Sequence, residues 1–133
     1  MAVNQPTKWL ITGGCGFIGT SLIKNLVKEG GHYIRALDNL SVGTKEDLVS
    51  VCDYTVLSPQ SSSLSFPPQS SVLSPEVSPH SCSVGLVVGD IRDPATAQVC
   101  CRDMDVIVHL AANTGVAPSV ENPRLDMECN VIG

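Results

Sequence analysis

A glycine-rich loop stands between the first apolar run of the chain and a stretch with helical periodicity. Residues 12–19 read TGGCGFIG, directly after the run WLI, and apolar side chains then recur at helical spacing over 22–27. Small residues let the backbone approach an anion closely, and a helix N-terminus offers unpaired N–H groups and the positive end of its dipole. The arrangement predicts a phosphate cradle and, with it, a bound dinucleotide.

The glycines of this loop fit two patterns. Gly14, Gly16 and Gly19 fit G-x-G-x-x-G, whereas Gly13, Gly16 and Gly19 fit G-x-x-G-x-x-G. Either pattern alone is also compatible with an ordinary strand-to-helix turn. A dinucleotide site calls for an acidic residue about 20 residues further on, and Asp38 stands there at the end of the second apolar run.

Length and charge limit the class of protein. The chain has 133 residues, 43% of them hydrophobic, which suits one small domain over 1–133. Its net charge of −5 argues against nucleic-acid binding. No apolar run approaches the roughly 18 residues of a membrane span, and the N-terminus lacks the apolar core of a signal peptide. We therefore expect a cytoplasmic protein with neither nucleic-acid nor membrane partners.

The spacing of the six cysteines does not match a known metal-binding motif. No C-x-x-C pair is present, and no cysteine–histidine spacing matches zinc. We expect reduced thiols and no metal. Cys15 lies within the glycine loop, where any small residue fits; a reactive thiol at a helix N-terminus is the alternative.

Strands and helices alternate along the chain. We expect strands at 8–12, 33–37, 86–88 and 106–110, and helices at 17–28, 44–51, 94–102 and from 123 onwards. Thr44, Asp93 and Asn122 are the predicted N-caps, and proline follows directly after the last two. This alternation predicts an α/β fold with a doubly wound parallel sheet of about four strands.

One segment interrupts the alternation. Residues 58–83 contain eleven serines and five prolines without a repeat. Proline disfavours helix and sheet interiors, and serine adds little apolar area, so we expect a flexible insertion. Three Ser-Pro pairs make a phosphorylated regulatory loop one interpretation, and an inert surface loop or a sequence artefact is the alternative.

Several further motifs have the spacing of a known family. They are TGGCGFIG at 12–19, DNLS at 38–41, GDIRD at 89–93, HLAA at 109–112, SVENP at 119–123 and NVIG at 130–133. Together they resemble the extended short-chain dehydrogenase/reductase family, in particular its NAD-dependent nucleotide-sugar epimerases and dehydratases. The resemblance implies a Rossmann fold, NAD as cofactor and a nucleotide sugar as substrate.

The resemblance also assigns the glycine loop. It selects Gly13, Gly16 and Gly19 and implies that Phe17 and Ile18 place backbone N–H groups on the pyrophosphate. Gly14 then serves the turn.

Asp38 would bind the adenosine ribose, with Asn39 beside it. A carboxylate accepts from ribose hydroxyls and repels a 2′-phosphate, which favours NAD over NADP. Arg35, three residues earlier, can point elsewhere on its strand. A solvated acid at the strand end is the alternative for Asp38.

Later motifs supply the rest of the implied cofactor site. Asp90 and Ile91 match positions that contact the adenine, although the residues alone indicate a turn at Asp90. Leu110, Ala111 and Ala112 match the segment that lines the cofactor.

Two further matches lie nearer the C-terminus. Ser119 matches a position near the substrate and the nicotinamide, and Asn130 a helix asparagine that supports the active site. For each of these two, an ordinary polar helix residue stays open. His109 is expected to be a strand residue rather than a catalyst.

The catalytic motif of the family is missing. The resemblance implies a Tyr-x-x-x-Lys, but the only tyrosines are Tyr33 and Tyr54, and neither has lysine at the fourth following position. We expect no catalytic residue here and an N-terminal, NAD-binding fragment that is inactive alone. A non-catalytic dinucleotide-binding or regulatory module is the alternative, and a reductase acting on a non-sugar substrate a weaker one.

The strand at 106–110 would be a sheet edge in this fragment. An open edge with apolar side chains promotes association. We therefore expect marginal stability and self-association, with a homodimer among the partners.

Overall fold

The alternating pattern of the sequence produces a regular series of strands and helices. The computed structural model describes residues 6–60, 64 and 82–133. Its elements are β1 (Lys8–Thr12), α1 (Phe17–Glu29), β2 (Tyr33–Asp38), α2 (Lys45–Val49), β3 (Thr55–Leu57), β4 (Ser83–Val88), α3 (Pro94–Cys101), β5 (Val106–His109), α4 (Val116–Glu121), α5 (Pro123–Met127) and a π-helical turn (Glu128–Ile132).

The strands form one five-stranded sheet in the order β3-β4-β2-β1-β5, and every pairing is parallel. The chain leaves β1 to one side for β2 and returns to the other side for β5, so the connections diverge beside β1. Such a switch point opens a crevice at the carboxyl ends of the strands. The predicted α/β class and doubly wound parallel sheet are confirmed.

The predicted helix starts are confirmed by their caps. Thr44 and Asp47 form a reciprocal capping box at α2. Asp93 accepts from the N–H groups of Ala95 and Thr96 at α3, and the Asn122 side chain caps α5. A short polar side chain pairs N–H groups that the first helical turn leaves without partners.

Three details differ from the sequence-based expectation. The sheet has five strands rather than about four, because β3 pairs with β4 through Thr55↔Gly85 to Leu57↔Val87. Helix α4 was not expected, since Pro118 falls inside a loop-like stretch. The last helix is not one continuous α-helix, because a π-helical turn replaces α-helix after Met127.

Apolar side chains alternate between the two faces of the sheet. Ile11, Ile34 and Leu86 pack with Ile23 and Leu26 of α1 on one face. The opposite face carries a second cluster, which consists of Leu10, Leu37, Leu64, Val87 and Cys100. Neighbouring strand residues point to opposite faces, so both faces of the sheet are apolar. Helices cover each of them.

Arg35 is a buried cation on the second face. Its guanidinium donates to the carbonyl oxygens of Cys100 at 2.6 Å, Leu64 at 2.6 Å and Arg102 at 3.3 Å. Burial lowers its pKa from the ordinary value. The side chain therefore stabilises the negative end of α3 and points elsewhere than the sheet's carboxyl edge, as expected.

The predicted insertion over 58–83 falls largely outside the described residues. Its upper boundary was wrong, because Ser83 belongs to β4. The expectation of flexibility for 61–63 and 65–81 stays a prediction. In the parts of the chain that the structure describes, no helix combines the length and the apolar character needed to cross a membrane.

Candidate functional site

Gly13 forms the turn that leaves β1. Its φ is +68°, and its N–H donates to the Leu37 carbonyl at 2.8 Å. A Cβ built on Gly13 would lie 2.9 Å from the Ala111 nitrogen. Only glycine accommodates both the left-handed backbone and this close approach, which brings the loop against the segment after β5.

Gly16 is the N-cap of α1 and supplies no capping side chain. The first turn of α1 contains no acidic residue, and the side chains of Phe17 and Ile18 are 89% and 64% exposed. The first N–H groups of a helix have no intrahelical partner. The loop therefore presents unneutralised donors and the positive helix end toward a ligand.

Gly19 and Gly14 hold the loop against its neighbours. A Cβ on Gly19 would overlap the Gly13 carbonyl oxygen and lie 2.8 Å from the Gly14 Cα. A Cβ on Gly14 would lie 2.6 Å from the Ala36 Cβ. Gly14 thus packs the loop on β2, and Gly13 rather than Gly14 supplies the left-handed turn. These contacts explain why both glycine patterns coexist.

Asp38 ends β2 and is 8% exposed. Its Oδ2 accepts from the Cys15 N–H at 2.9 Å, and its Oδ1 from the Leu40 N–H at 2.8 Å. It is therefore not the solvated strand-end acid considered as an alternative. Each carboxylate oxygen has a further lone pair, so Asp38 can accept from a ligand as well.

Asn39 and Asp90 join the loops that follow β2 and β4. The Asn39 amide donates to Asp90 Oδ2 at 3.3 Å. Arg92 donates to both Asp90 oxygens, from Nε at 2.9 Å and from Nη2 at 2.7 Å. The hydrogen bonds from Arg92 hold the pKa of the Asp90 carboxyl well below its usual range. This fixes an anionic side chain at the rim of the site.

Thr12 positions the segment after β5. Its Oγ1 accepts from the N–H groups of Leu110 at 3.1 Å and Ala111 at 3.2 Å. With both lone pairs engaged, the Thr12 hydroxyl donates to His109 Nδ1, 2.7 Å away. His109 is a strand residue, as expected. The sequence assigned Thr12 no such role, because its partners lie almost a hundred residues away.

A cleft of about 420 Å³ lies where these segments meet. Most of the predicted site residues line it, namely Gly13, Gly16, Phe17, Ile18, Gly19, Asp38, Asn39, Asp90, Ile91, Leu110, Ala111 and Ala112. Its remaining lining is Leu37, Ser41, Val42, Gly43, Gly89, Asn113, Thr114 and Cys129. Among the described residues, no group of His, Cys, Asp or Glu is placed to hold a metal ion.

Asn130 and Ser119 do not line this cleft. The Asn130 amide accepts from the Asn113 N–H at 2.7 Å and donates to the Asn113 carbonyl at 3.0 Å, so it holds a loop that does line the cleft. Ser119 Oγ donates to the Val116 carbonyl at 2.8 Å within α4. Asn130 therefore lies behind the lining, and a substrate role for Ser119 stays a prediction.

Gly43 lines the cleft, although the sequence analysis did not identify it as a site residue. A Cβ on Gly43 would overlap the Cys15 carbonyl and lie 2.7 Å from the Gly16 nitrogen. The loop before α2 thus packs directly on the glycine loop. The available signal was a glycine just before the Thr44 cap, which indicates a turn but not its contact.

Comparisons with known proteins agree with this geometry. A model of the NAD dependent epimerase/dehydratase family matches residues 9–133. The UDP-glucose 4-epimerase of Mycolicibacterium smegmatis is 32% identical over 125 residues, covering 93% of this chain and 31% of that protein. The dTDP-glucose 4,6-dehydratase of Mycobacterium tuberculosis is 29% identical over 126 residues, covering 93% and 29%.

A solved structure shares the fold. DesIV, the dTDP-glucose 4,6-dehydratase of Streptomyces venezuelae with NAD and TYD bound, superimposes with a TM-score of 0.65 at 25% identity, covering 95% of this chain and 33% of that one. This chain therefore spans about a third of the length of the proteins it matches. The match over 9–133, together with the glycine loop and its cleft, shows that the chain belongs to the NAD dependent epimerase/dehydratase family.

Proposed function

We propose that this chain is the NAD-binding part of a nucleotide-sugar epimerase or dehydratase. One observation carries the proposal: the glycine loop, Asp38 and the segment 110–112 line a single cleft at the carboxyl ends of parallel strands. Open α/β sheets bind their ligands at this place. The relatives' names, UDP-glucose 4-epimerase and dTDP-glucose 4,6-dehydratase, support a nucleotide sugar as substrate.

The glycine loop suits the pyrophosphate of NAD. At Gly13 and Gly19 the backbone lies so close to neighbouring backbone atoms that a Cβ would clash with them. The surface that the loop offers to a ligand is therefore made of backbone atoms. The N–H groups of Phe17 and Ile18 would donate to phosphate oxygens, since the first helical turn leaves them without intrahelical partners.

Charges around the cleft favour NAD over NADP. Asp38 and Asn39 would accept and donate at the adenosine ribose, and Asp90 with Ile91 would border the adenine. A 2′-phosphate would meet the Asp38 carboxylate, while Arg35 is committed to the carbonyl groups at the end of α3. We therefore expect NADP to bind more weakly than NAD.

When bound, NAD supplies hydride transfer to and from a sugar carbon. The residues of this chain bind and orient the cofactor, and small Ala111 and Ala112 let it lie close to the backbone. Proton transfer at the sugar needs another group. Tyr33 begins β2 and Tyr54 directly precedes β3, so both lie at the amino ends of the strands, opposite the edge that carries the cleft. We infer that the 133-residue chain alone does not turn over a nucleotide sugar.

Two measurements on one preparation test the proposal: calorimetric titration with NAD and NADP for the cofactor, and a turnover assay for the inferred inactivity. We expect NAD to bind more tightly than NADP, and no turnover of UDP-glucose or dTDP-glucose with NAD present. Equal or tighter binding of NADP would overturn the role of Asp38. Measured turnover would overturn the inferred inactivity.

A charge placed at the helix start tests the phosphate site itself. Ile18→Glu puts a carboxylate beside the proposed pyrophosphate, so we expect NAD affinity to fall at least tenfold, which corresponds to about 1.4 kcal/mol. Stability should not fall, since acids suit the first helical turn. Asn25→Glu adds the same charge on the exposed middle of α1 and should leave NAD affinity unchanged.

A further inference from the structure

Two half-buried cysteines precede adjacent parallel strands, Cys52 three residues before β3 and Cys82 directly before β4. The β3–β4 ladder pairs Thr55 with Gly85, Val56 with Leu86 and Leu57 with Val87. Extended three residues beyond the amino end of β3, the same register would place Cys52 opposite Cys82. Neighbouring strands lie about 4.8 Å apart, within the roughly 4.4–6.8 Å Cα separation that a disulfide needs.

Both side chains point to the same face of the sheet. Val84 and Leu86 of β4 belong to the core on the α1 side, and Tyr54, directly before β3, packs against it. Odd-numbered Leu57 and Val87 belong to the opposite face. Cys52 and Cys82 follow this alternation, since both pack against the cluster on the α1 side and both are half-buried.

The environment of the thiols is consistent with close approach. Burial raises the pKa of Cys52 to about 11, and the nearby Cys82 thiol is the next cause. Burial also raises the pKa of Cys82, although a backbone hydrogen bond from His32 opposes that change. None of the six cysteines is in a disulfide in the structure, and the Cys52 thiol donates to the Leu48 carbonyl at 3.8 Å.

We propose that Cys52 and Cys82 form a redox-sensitive thiol pair that oxidises to an intrachain disulfide closing residues 53–81. With a glutathione disulfide as oxidant, the Cys52 thiolate attacks one glutathione sulfur and releases the first reduced glutathione. The Cys82 thiolate then displaces the second at Cys52, so two thiol protons and two electrons leave the protein. The new bond holds the edge strand β3 to β4.

The bond is read out by tryptic digestion of the native chain under non-reducing conditions. Trypsin cuts after Lys45 and Arg92, so one peptide, 46–92, contains both cysteines, while Cys15 falls in 9–24. After oxidation with glutathione disulfide we expect peptide 46–92 to lose two hydrogen masses and to resist alkylation. Further cleavage after Glu76 should leave its halves joined until dithiothreitol is added.

Oxidation of the native chain should raise the Tm, and dithiothreitol should reverse the shift. Cys52→Ala should abolish both the mass loss and the shift, whereas Cys101→Ala, at an exposed cysteine outside the pair, should preserve both. The wild-type digest alone overturns the proposal if both thiols stay alkylatable, carry stable glutathione adducts, or join peptide 9–24 instead. Raised thiol pKa values slow the exchange, so the reaction is followed over hours.

Discussion

The Asp38 carboxylate accepts a hydrogen bond from the Cys15 N–H at 2.9 Å, which ties the end of β2 to the glycine loop. The same side chain that is proposed to bind the ribose therefore also holds the phosphate loop in place. Ribose binding at Asp38 would therefore be coupled to the geometry of the glycine loop.

Replacing Asp38 should reduce stability as well as NAD affinity. In Asp38→Asn one amide nitrogen faces a backbone N–H that formerly had an acceptor. Leaving such a buried donor unpaired costs about 1–3 kcal/mol of unfolding free energy. Urea unfolding and NAD titration of the same sample measure both effects.

Asp53→Asn is the matched control, because Asp53 is exposed and does not line the cleft. Its unfolding free energy should change by less than about 0.5 kcal/mol. If Asp38→Asn lost NAD affinity while keeping wild-type stability, the hydrogen bond to the loop would contribute nothing measurable.

Gly43 should prove as sensitive to substitution as the glycines of the loop. A Cβ there meets the Cys15 carbonyl and the Gly16 nitrogen, which are backbone atoms and yield little. We expect Gly43→Ala to cost roughly 1–3 kcal/mol by overpacking and to weaken NAD binding. Thermal unfolding and calorimetry test this.

Gly31→Ala provides the comparison for Gly43. Its φ is +72°, but nothing lies within 4 Å of a Cβ built there, so only backbone strain is added. Stability should fall with no change in NAD affinity. Unchanged NAD binding by Gly43→Ala would mean that the contact between the loop before α2 and the glycine loop does not contribute to NAD binding.

The local parts of the fold were predictable because their signals are local. The helix caps at Thr44, Asp93 and Asn122 each involve residues two or three positions apart, and the structure contains all three. Strand β3 has only three residues and obtains its hydrogen bonds from residues thirty positions later. No period within Thr55–Leu57 could reveal that pairing.

The residues of the site fall into the same two groups, those with a local signal and those placed by long-range contacts. The glycine loop and Asp38 could be recognised because their spacing within the chain is itself the signal. Gly43 and Thr12 contribute through contacts with Cys15 and with the segment after β5, which only the folded chain brings together. Asn130, expected to support the active site, holds the cleft-lining residue Asn113 through hydrogen bonds from a π-helical turn, which a periodic pattern does not specify.

Acid should destabilise the fold through Asp90. Hydrogen bonds from Arg92 place its pKa below the ordinary value of 3.8. A carboxyl with a lower pKa in the folded chain stabilises that state above its unfolded pKa and loses this contribution as the pH falls through the folded pKa. Asp47 and Asp93 are shifted in the same direction by Thr44 and Thr96.

We therefore expect the urea midpoint to drop as the pH is lowered below about 4. Asp90→Asn, which cannot titrate, should show a shallower drop over this range. Arg92→Gln should have the same effect by returning the Asp90 pKa toward its ordinary value. Parallel pH profiles for the wild type and Asp90→Asn would show that the pair does not contribute.

The edge of the sheet at β5 should control self-association. Among the described strands β5 pairs with β1 alone, and Ile107 in its middle is 52% exposed. An open edge with apolar side chains is a template for strand pairing between chains, and lysine at such an edge opposes it. We expect Ile107→Lys to suppress an association that the wild type shows as its concentration rises, measured by sedimentation velocity.

Val120→Lys is the control for the charge that Ile107→Lys adds. Val120 is 75% exposed on α4, so its replacement adds the same charge and removes a similar apolar side chain without touching an open strand. If association proceeds through β5, Val120→Lys should sediment like the wild type while Ile107→Lys stays monomeric. Equal suppression by both variants would assign the association to charge or to the helical surface, and a wild type that stays monomeric up to millimolar concentration would show that the edge is protected.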